Sequence, residues 1–155
     1  MAPMETSGPF AFGFTIMGAH PMCKQSTHSK DMTVAALINW QKAEGAVVFL
    51  AGLVMYWAFD STFAWWAAIL WFFAPDISFI AYLKGNRIGS YAYNAVHTYG
   101  FGAAIFAFGL WFDTSTIATL GALWLAHSGF DRMLGYGLKS ESGFKDTHLG
   151  PIGRN

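Results

Sequence analysis

Residues 116–138 read TIATLGALWLAHSGFDRMLGYGL. The stretch is mostly apolar and long enough to cross a bilayer as a helix, for which about 20 residues suffice. Yet its second half carries His127, Asp131 and Arg132. An ionisable side chain in hydrocarbon costs at least about 2.5 kcal/mol, so one found there is expected to line a cavity, meet a partner or do chemistry. Residues three or four apart share a helix face, so His127 and Asp131 point together. Arg132 is turned about 100° from Asp131 and reaches toward head groups or the chain that follows.

Three more stretches reach spanning length: 38–59, 62–83 and 88–112. The breaks between them, around Asp60, Lys84–Arg87 and Asp113, are short, which makes consecutive helices antiparallel neighbours. The pattern predicts an all-α polytopic membrane protein, a four-helix transmembrane up-down-up-down bundle over residues 32–139. Residues 1–31 hold an apolar patch, PFAFGFTIMGA, without the basic segment of a secretory signal, and read as a mobile or interfacial leader. Residues 140–155, rich in glycine, read as a cytoplasmic loop able to act as a lid.

Composition agrees with a bilayer setting. The chain is 54% hydrophobic and 12% charged, the latter about half of what a soluble domain carries. Nine basic and nine acidic residues balance, which leaves no electrostatic footprint for nucleic acid. The single cysteine, Cys23, has no partner for a disulfide or a CxxC motif. All nine Lys and Arg residues lie before or within the start of the first span, between the second and third, or at and after the end of the fourth. Basic residues in short loops stay cytoplasmic, so both termini and the Lys84–Arg87 loop are expected inside.

Depth then groups the polar residues. With about 1.5 Å of rise per residue, Glu44 lies roughly 9 Å inside the first span and Asp76 roughly 10 Å from the end of the second. Asn94 and His97 follow the start of the third by roughly 9 and 14 Å; Asp131 and His127 precede the end of the fourth by roughly 10 and 16 Å. All six fall in one slab near the cytoplasmic face. Pro75, just before Asp76, removes a backbone donor and tends to kink its helix. Singly, each has a plain structural reading: Glu44 snorkels to the interface, Asn94 joins helices, His97 is a hydrogen-bonded core histidine, and Asp131 pairs with Arg132 or Lys139. Their shared depth favours one cluster facing a common pocket.

The segments WQKAEG at 40–45, APDISFIAYL at 74–83, YNAVHTYG at 93–100, WLAHSGFDRMLGYGLK at 124–139 and GFKDTHLGPIG at 143–153 carry a resemblance. From Met32 to Gly153 the chain resembles the small four-helix bacterial membrane proteins grouped as domain of unknown function family 4260. The resemblance implies a compact polytopic domain in a bacterial inner membrane, with motif residues at Glu44, Asp76, Asn94, His97, His127, Asp131, Arg132 and His148. It implies no reaction.

Three functions compete. In the first, a membrane enzyme, His97, His127 and Asp131 ligate a divalent transition metal, Zn, Mn or Fe, in the bundle interior. Asp76 and Glu44 then serve as catalytic carboxylates or further ligands, while Asn94, Arg132 and His148 contact a lipid-like substrate. In the second, a proton-coupled transporter, the carboxylates and histidines titrate during passage. In the third, an accessory subunit or homo-oligomer, the polar network sets helix packing and the aromatic exterior meets other membrane proteins.

Overall fold

The computed structural model describes residues 22–59 and 64–153, with side chains from residue 32 onward. Most of the leader and the Asp60 loop therefore lie outside the described residues, although the first helix already begins within the leader. Five α-helices run α1 Met22–Ala58, α2 Trp65–Phe72, α3 Asn86–Val96, α4 Tyr99–Trp111 and α5 Ser115–Leu134. A 3₁₀ helix, Ala74–Lys84, continues α2. The architecture is mainly helical, as expected, but the spans are cut differently.

The second expected span is α2 joined to the 3₁₀ helix. Pro75 stands at the joint, and the Asp76 N–H reaches back to the Phe73 carbonyl at 3.1 Å. A 3₁₀ run of 11 residues is far longer than the usual three or four. Its threefold period eclipses residues three apart. Asp76, Phe79 and Tyr82 thereby form one row, which an α-helix would fan out around its axis. Phe79 stacks on Tyr93 of α3 at 5.2 Å, and the Tyr82 ring covers Gly89 so closely that a Cβ there would overlap it.

The third expected span breaks at His97 and Thr98, where the backbone turns to φ −77°, ψ 143° at Thr98. Buried carbonyls freed from a helix must find partners. Here Trp124 Nε1 donates to the Val96 carbonyl at 2.7 Å, while the Tyr93 carbonyl keeps its helical bond from the His97 N–H at 3.0 Å and also meets the His97 ring at 2.9 Å. α5 ends at Gly135, left-handed at φ 92°, with the Tyr136 N–H returning to the Asp131 carbonyl at 2.8 Å. This is a glycine-closed helix end of the Schellman kind.

α5 is the central strut, packed between α1 and α4. Glycines let the backbones touch. A Cβ on Gly129 would lie 2.5 Å from the Phe49 nitrogen of α1, and one on Gly102 would lie 2.7 Å from the Leu125 nitrogen. Such small-residue seams let helix backbones approach closely.

The segment expected as a loop after α5 is a small antiparallel meander: β1 Lys139–Ser140, β2 Gly143–Thr147 and β3 Gly150–Pro151, in that order. Lys139 pairs with Thr147, and Thr147 with Gly150. It packs on α3 and closes one end of the bundle.

The interior is more polar than the flanks. Tyr93, His97, His127, Thr119, Ser90 and Ser128 are among the largest fully buried side chains, while Trp57, Leu83 and Trp111 are 84–88% exposed. Among the described residues one helical stretch, Trp65–Lys84, is long and apolar enough to cross a membrane, and Tyr99–Trp111 is a shorter apolar helix. Lys42 and Glu44 in α1, Arg87 in α3, and Asp131 and Arg132 in α5 lower the hydropathy of the remaining helices.

The α1–α5 seam yields a direct prediction. Gly129→Ala must push backbone against backbone and should destabilise the protein by about 1–3 kcal/mol. Gly100→Ala, with nothing within 4 Å of the added carbon, should stay within about 1 kcal/mol of the parent or exceed it. Unfolding of the two purified variants compares them.

Candidate metal centre

Four side chains from three elements converge beside the α3–α4 break. Asp76 comes from the 3₁₀ helix, His97 from the end of α3, and His127 and Asp131 from successive turns of α5. The two histidine Nε2 atoms are 3.2 Å apart. Asp76 Oδ1 lies 3.5 Å from both, and Asp131 Oδ2 lies 3.6 Å from His97 and 3.8 Å from His127. All four potential ligand atoms fall within 4.8 Å of one another. A tetrahedral ion about 2.0–2.1 Å from nitrogen or oxygen ligands sets those ligands about 3.3–3.4 Å apart, close to the separations seen.

The surrounding groups orient the quartet. A carbonyl only accepts, so the His97 Nδ1 facing the Tyr93 carbonyl carries the proton, and in the neutral ring Nε2 keeps its lone pair. The Tyr93 ring stacks on His97 with centroids 3.7 Å apart, and its hydroxyl donates to Asp131 Oδ2 at 2.8 Å. Tyr93 thus fixes one histidine and one carboxylate together. His127 is held by ring contacts with Phe72 and Phe73, at 5.3 and 6.1 Å. Its Nδ1 is buried without a hydrogen-bond partner among the described residues. Both histidines are buried; the Asp76 side chain is 35% exposed against 14% for Asp131, which marks the accessible side.

The other expected site residues lie elsewhere. Asn94 is one turn from His97, but its amide is occupied by β1: Nδ2 donates to the Lys139 carbonyl at 2.9 Å and Oδ1 accepts from the Lys139 N–H at 2.6 Å. Glu44, Arg132 and His148 do not meet the quartet; with Gln41 and Tyr99 they line a separate cavity. The common slab therefore holds two polar centres on different faces of α5.

Two residues at the quartet escaped the sequence reading. Tyr93 stands four residues before His97, a spacing that places both on one face and could have flagged it. Lys139 is buried, with Nζ 5.2 Å from the Tyr93 ring centre and 4.3 Å from that of Phe144. Burial pushes its ammonium below the ordinary lysine range, while Asp131 and Asp76 pull the other way. In the sequence it reads as a cytoplasmic lysine and a candidate pairing partner for Asp131, and nothing local signals its burial over the Tyr93 and Phe144 rings.

Residues 38–152 match the family described as Domain of unknown function (DUF4260). The chain belongs to this family. All four quartet residues, and Glu44, Arg132 and His148, fall inside the matched DUF4260 span. No curated protein and no solved structure matches the chain.

Asn94 serves the sheet in this geometry, which is testable. Asn94→Leu should leave both Lys139 backbone groups unpaired and weaken docking of the meander by about 1–3 kcal/mol. Amide exchange at Lys139 should accelerate, while the quartet, which Asn94 does not touch, keeps its ligands.

Proposed function

We propose that this protein is an integral membrane metalloenzyme acting on a lipid-like substrate. Its quartet of Asp76, His97, His127 and Asp131 would hold a divalent transition metal, Zn, Mn or Fe, in the inner half of a four-span bundle. The observation that carries the reading is the convergence of four unprotonated-ligand types at near-tetrahedral spacing around one buried point. Charge supports it: two carboxylates and two neutral imidazoles leave a deficit that a divalent ion cancels, whereas unpaired charge in an apolar bundle is costly. A proton shared between the histidines would leave two carboxylates crowded on the same point.

The apolar flanks support the bilayer setting, since patches of this extent on a soluble monomer are rare. The basic-residue bias supports cytoplasmic termini. A crevice of about 430 Å³ between α1, α2 and α5 supports the lipid-like substrate. Its walls include Phe49, Leu53, Leu123 and Phe130, together with the same Phe72 and Phe73 that pack on His127. An acyl segment lying there would bring its polar end toward the quartet.

Four side chains fill a tetrahedral shell, so a metal held here would polarise a carbonyl or phosphoryl oxygen, or activate water, only by expanding to a fifth ligand or by releasing Asp76, the more exposed of the two carboxylates. The chain's own residues do the rest. Tyr93 holds Asp131 and His97 in place, Phe72 and Phe73 keep water from His127, and Asp76 faces the approaching substrate. Glu44, on the separate cavity, has no part in this step.

Metal content measured on the full chain, purified in detergent, tests the reading. The parent should retain about one transition metal per chain; His127→Ala and Asp131→Asn should lose it. Tyr93→Phe, which removes the hydroxyl on Asp131, should weaken metal affinity roughly 10–100-fold. Unchanged metal content in His127→Ala would reject the ligand assignment.

A further inference from the structure

The second polar centre lies where α1, the start of α4, the end of α5 and the turn after β2 meet. It is a cavity of about 190 Å³ lined by Gln41, Glu44, Tyr99, Arg132 and His148. Arg132 follows Asp131, so helix geometry turns it about 100° away from the quartet. The two sites share α5 and little else.

Two of the lining groups lack what burial demands. Arg132 is only 8% exposed and donates to the Tyr136 carbonyl at a long 3.3 Å; no carboxylate forms an ion pair with it among the described residues. Its guanidinium lies 5.7 Å from the centre of the Tyr99 ring. The Tyr99 hydroxyl is buried beside that guanidinium but makes no hydrogen bond of good geometry among the described residues. A guanidinium offers five donors, and a buried charge left unpaired is costly, so this wall is built for an oxyanion.

His148 adds a donor. The Leu138 N–H donates to its Nδ1 at 2.8 Å, so that nitrogen carries the lone pair and the proton sits on Nε2. Partial desolvation of the ring, and then the charge of Arg132, push its pKa below the ordinary histidine value, although the residue as a whole is exposed. Glu44 is the acidic member of the lining. A plain multivalent anion would face it with like charge. A ligand with an oxyanion at one end and a hydrogen-bearing ammonium at the other satisfies both walls, and a cavity of this size admits a small head group.

We infer that this cavity binds a phosphate–ammonium zwitterion of the phosphoethanolamine type, with the phosphate on Arg132, Tyr99 and His148 and the ammonium on Glu44. The inference uses the bilayer placement proposed above and is independent of the metal. The group can reach the cavity as a phospholipid head or as free phosphoethanolamine.

Calorimetry on the full chain in detergent at pH 7.5, with O-phosphoethanolamine and inorganic phosphate as probes, tests the site. Analysis of co-purified lipid supplies the second arm. Phosphoethanolamine should bind about tenfold more tightly than phosphate, because the ammonium–carboxylate hydrogen bond is charge-assisted. Glu44→Gln should bring the two affinities together, and Arg132→Gln should abolish both. Tyr99→Phe removes a hydroxyl that makes no hydrogen bond of good geometry among the described residues, so it should largely preserve melting temperature yet weaken both probes several-fold. That variant keeps the test valid if Arg132→Gln fails to fold.

Enrichment of phosphatidylethanolamine over phosphatidylcholine, whose trimethylammonium has no N–H to donate, assigns the lipid source. Binding of soluble phosphoethanolamine without such enrichment assigns the free form. Equal affinity for the two soluble probes with no effect of Glu44→Gln, or binding of neither probe together with no lipid enrichment, overturns the inference. A parent protein free of metal would sink the metalloenzyme reading and leave these results standing.

Discussion

Tyr93 grips the His97 ring twice, through stacking at 3.7 Å and through the Nδ1 hydrogen bond to its own carbonyl at 2.9 Å. The Tyr93 carbonyl also keeps its helical bond from the His97 N–H at 3.0 Å, so the ring contact adds to the last helical turn before the helix stops. Were α3 and α4 continuous, the Val96 carbonyl would be taken by the next helical turn. Instead Trp124 takes the Val96 carbonyl and the ring is turned against His127 of α5. The tyrosine hydroxyl then reaches Asp131, and the 3₁₀ winding brings Asp76 to the remaining side. Three departures from regular helix, at Pro75, along the 3₁₀ run and at Thr98, thus serve one buried point.

The surroundings make that point expensive to build. Polar groups taken out of water cost stability unless matched, and several here are buried without a partner among the described residues, including His127 Nδ1 and the Tyr99, Thr119 and Ser128 hydroxyls. α5 bears both polar centres on different faces while glycine and alanine on its other positions let α1 and α4 close against it. The meander completes the closure: Asn94 anchors β1, and His148, fixed by the Leu138 N–H, caps the second cavity. The division of labour separates an apolar-walled His–Asp quartet from a small polar chamber, with one helix positioning both.

The sequence made part of this legible. The i, i+4 spacing of His127 and Asp131 survives into the structure, as does the helical character of the chain. The Asn94–His97 pair did not translate into one site, because an i, i+3 offset still turns the two side chains apart by roughly 60° and the Asn94 amide is taken by the Lys139 backbone of β1. Depth placed Glu44 beside the quartet, but depth says nothing about rotation, and the helices are too uniformly apolar for a face to be read. Pro75 signalled a kink, yet no local rule foretells an 11-residue 3₁₀ run that depends on packing against α3. Strands of two residues, such as β1 and β3, carry no alternation to detect. Tyr93 was within reach of the same spacing rule that found Asp131.

X-ray absorption at the metal edge, on full-length protein purified without added chelator, tests the central claim most directly. The account predicts one first shell of nitrogen and oxygen at about 2.0–2.2 Å, with the outer-shell scattering of two imidazole rings. Protein that carries no transition metal, or a metal whose shell shows water oxygens and no imidazole, would contradict it.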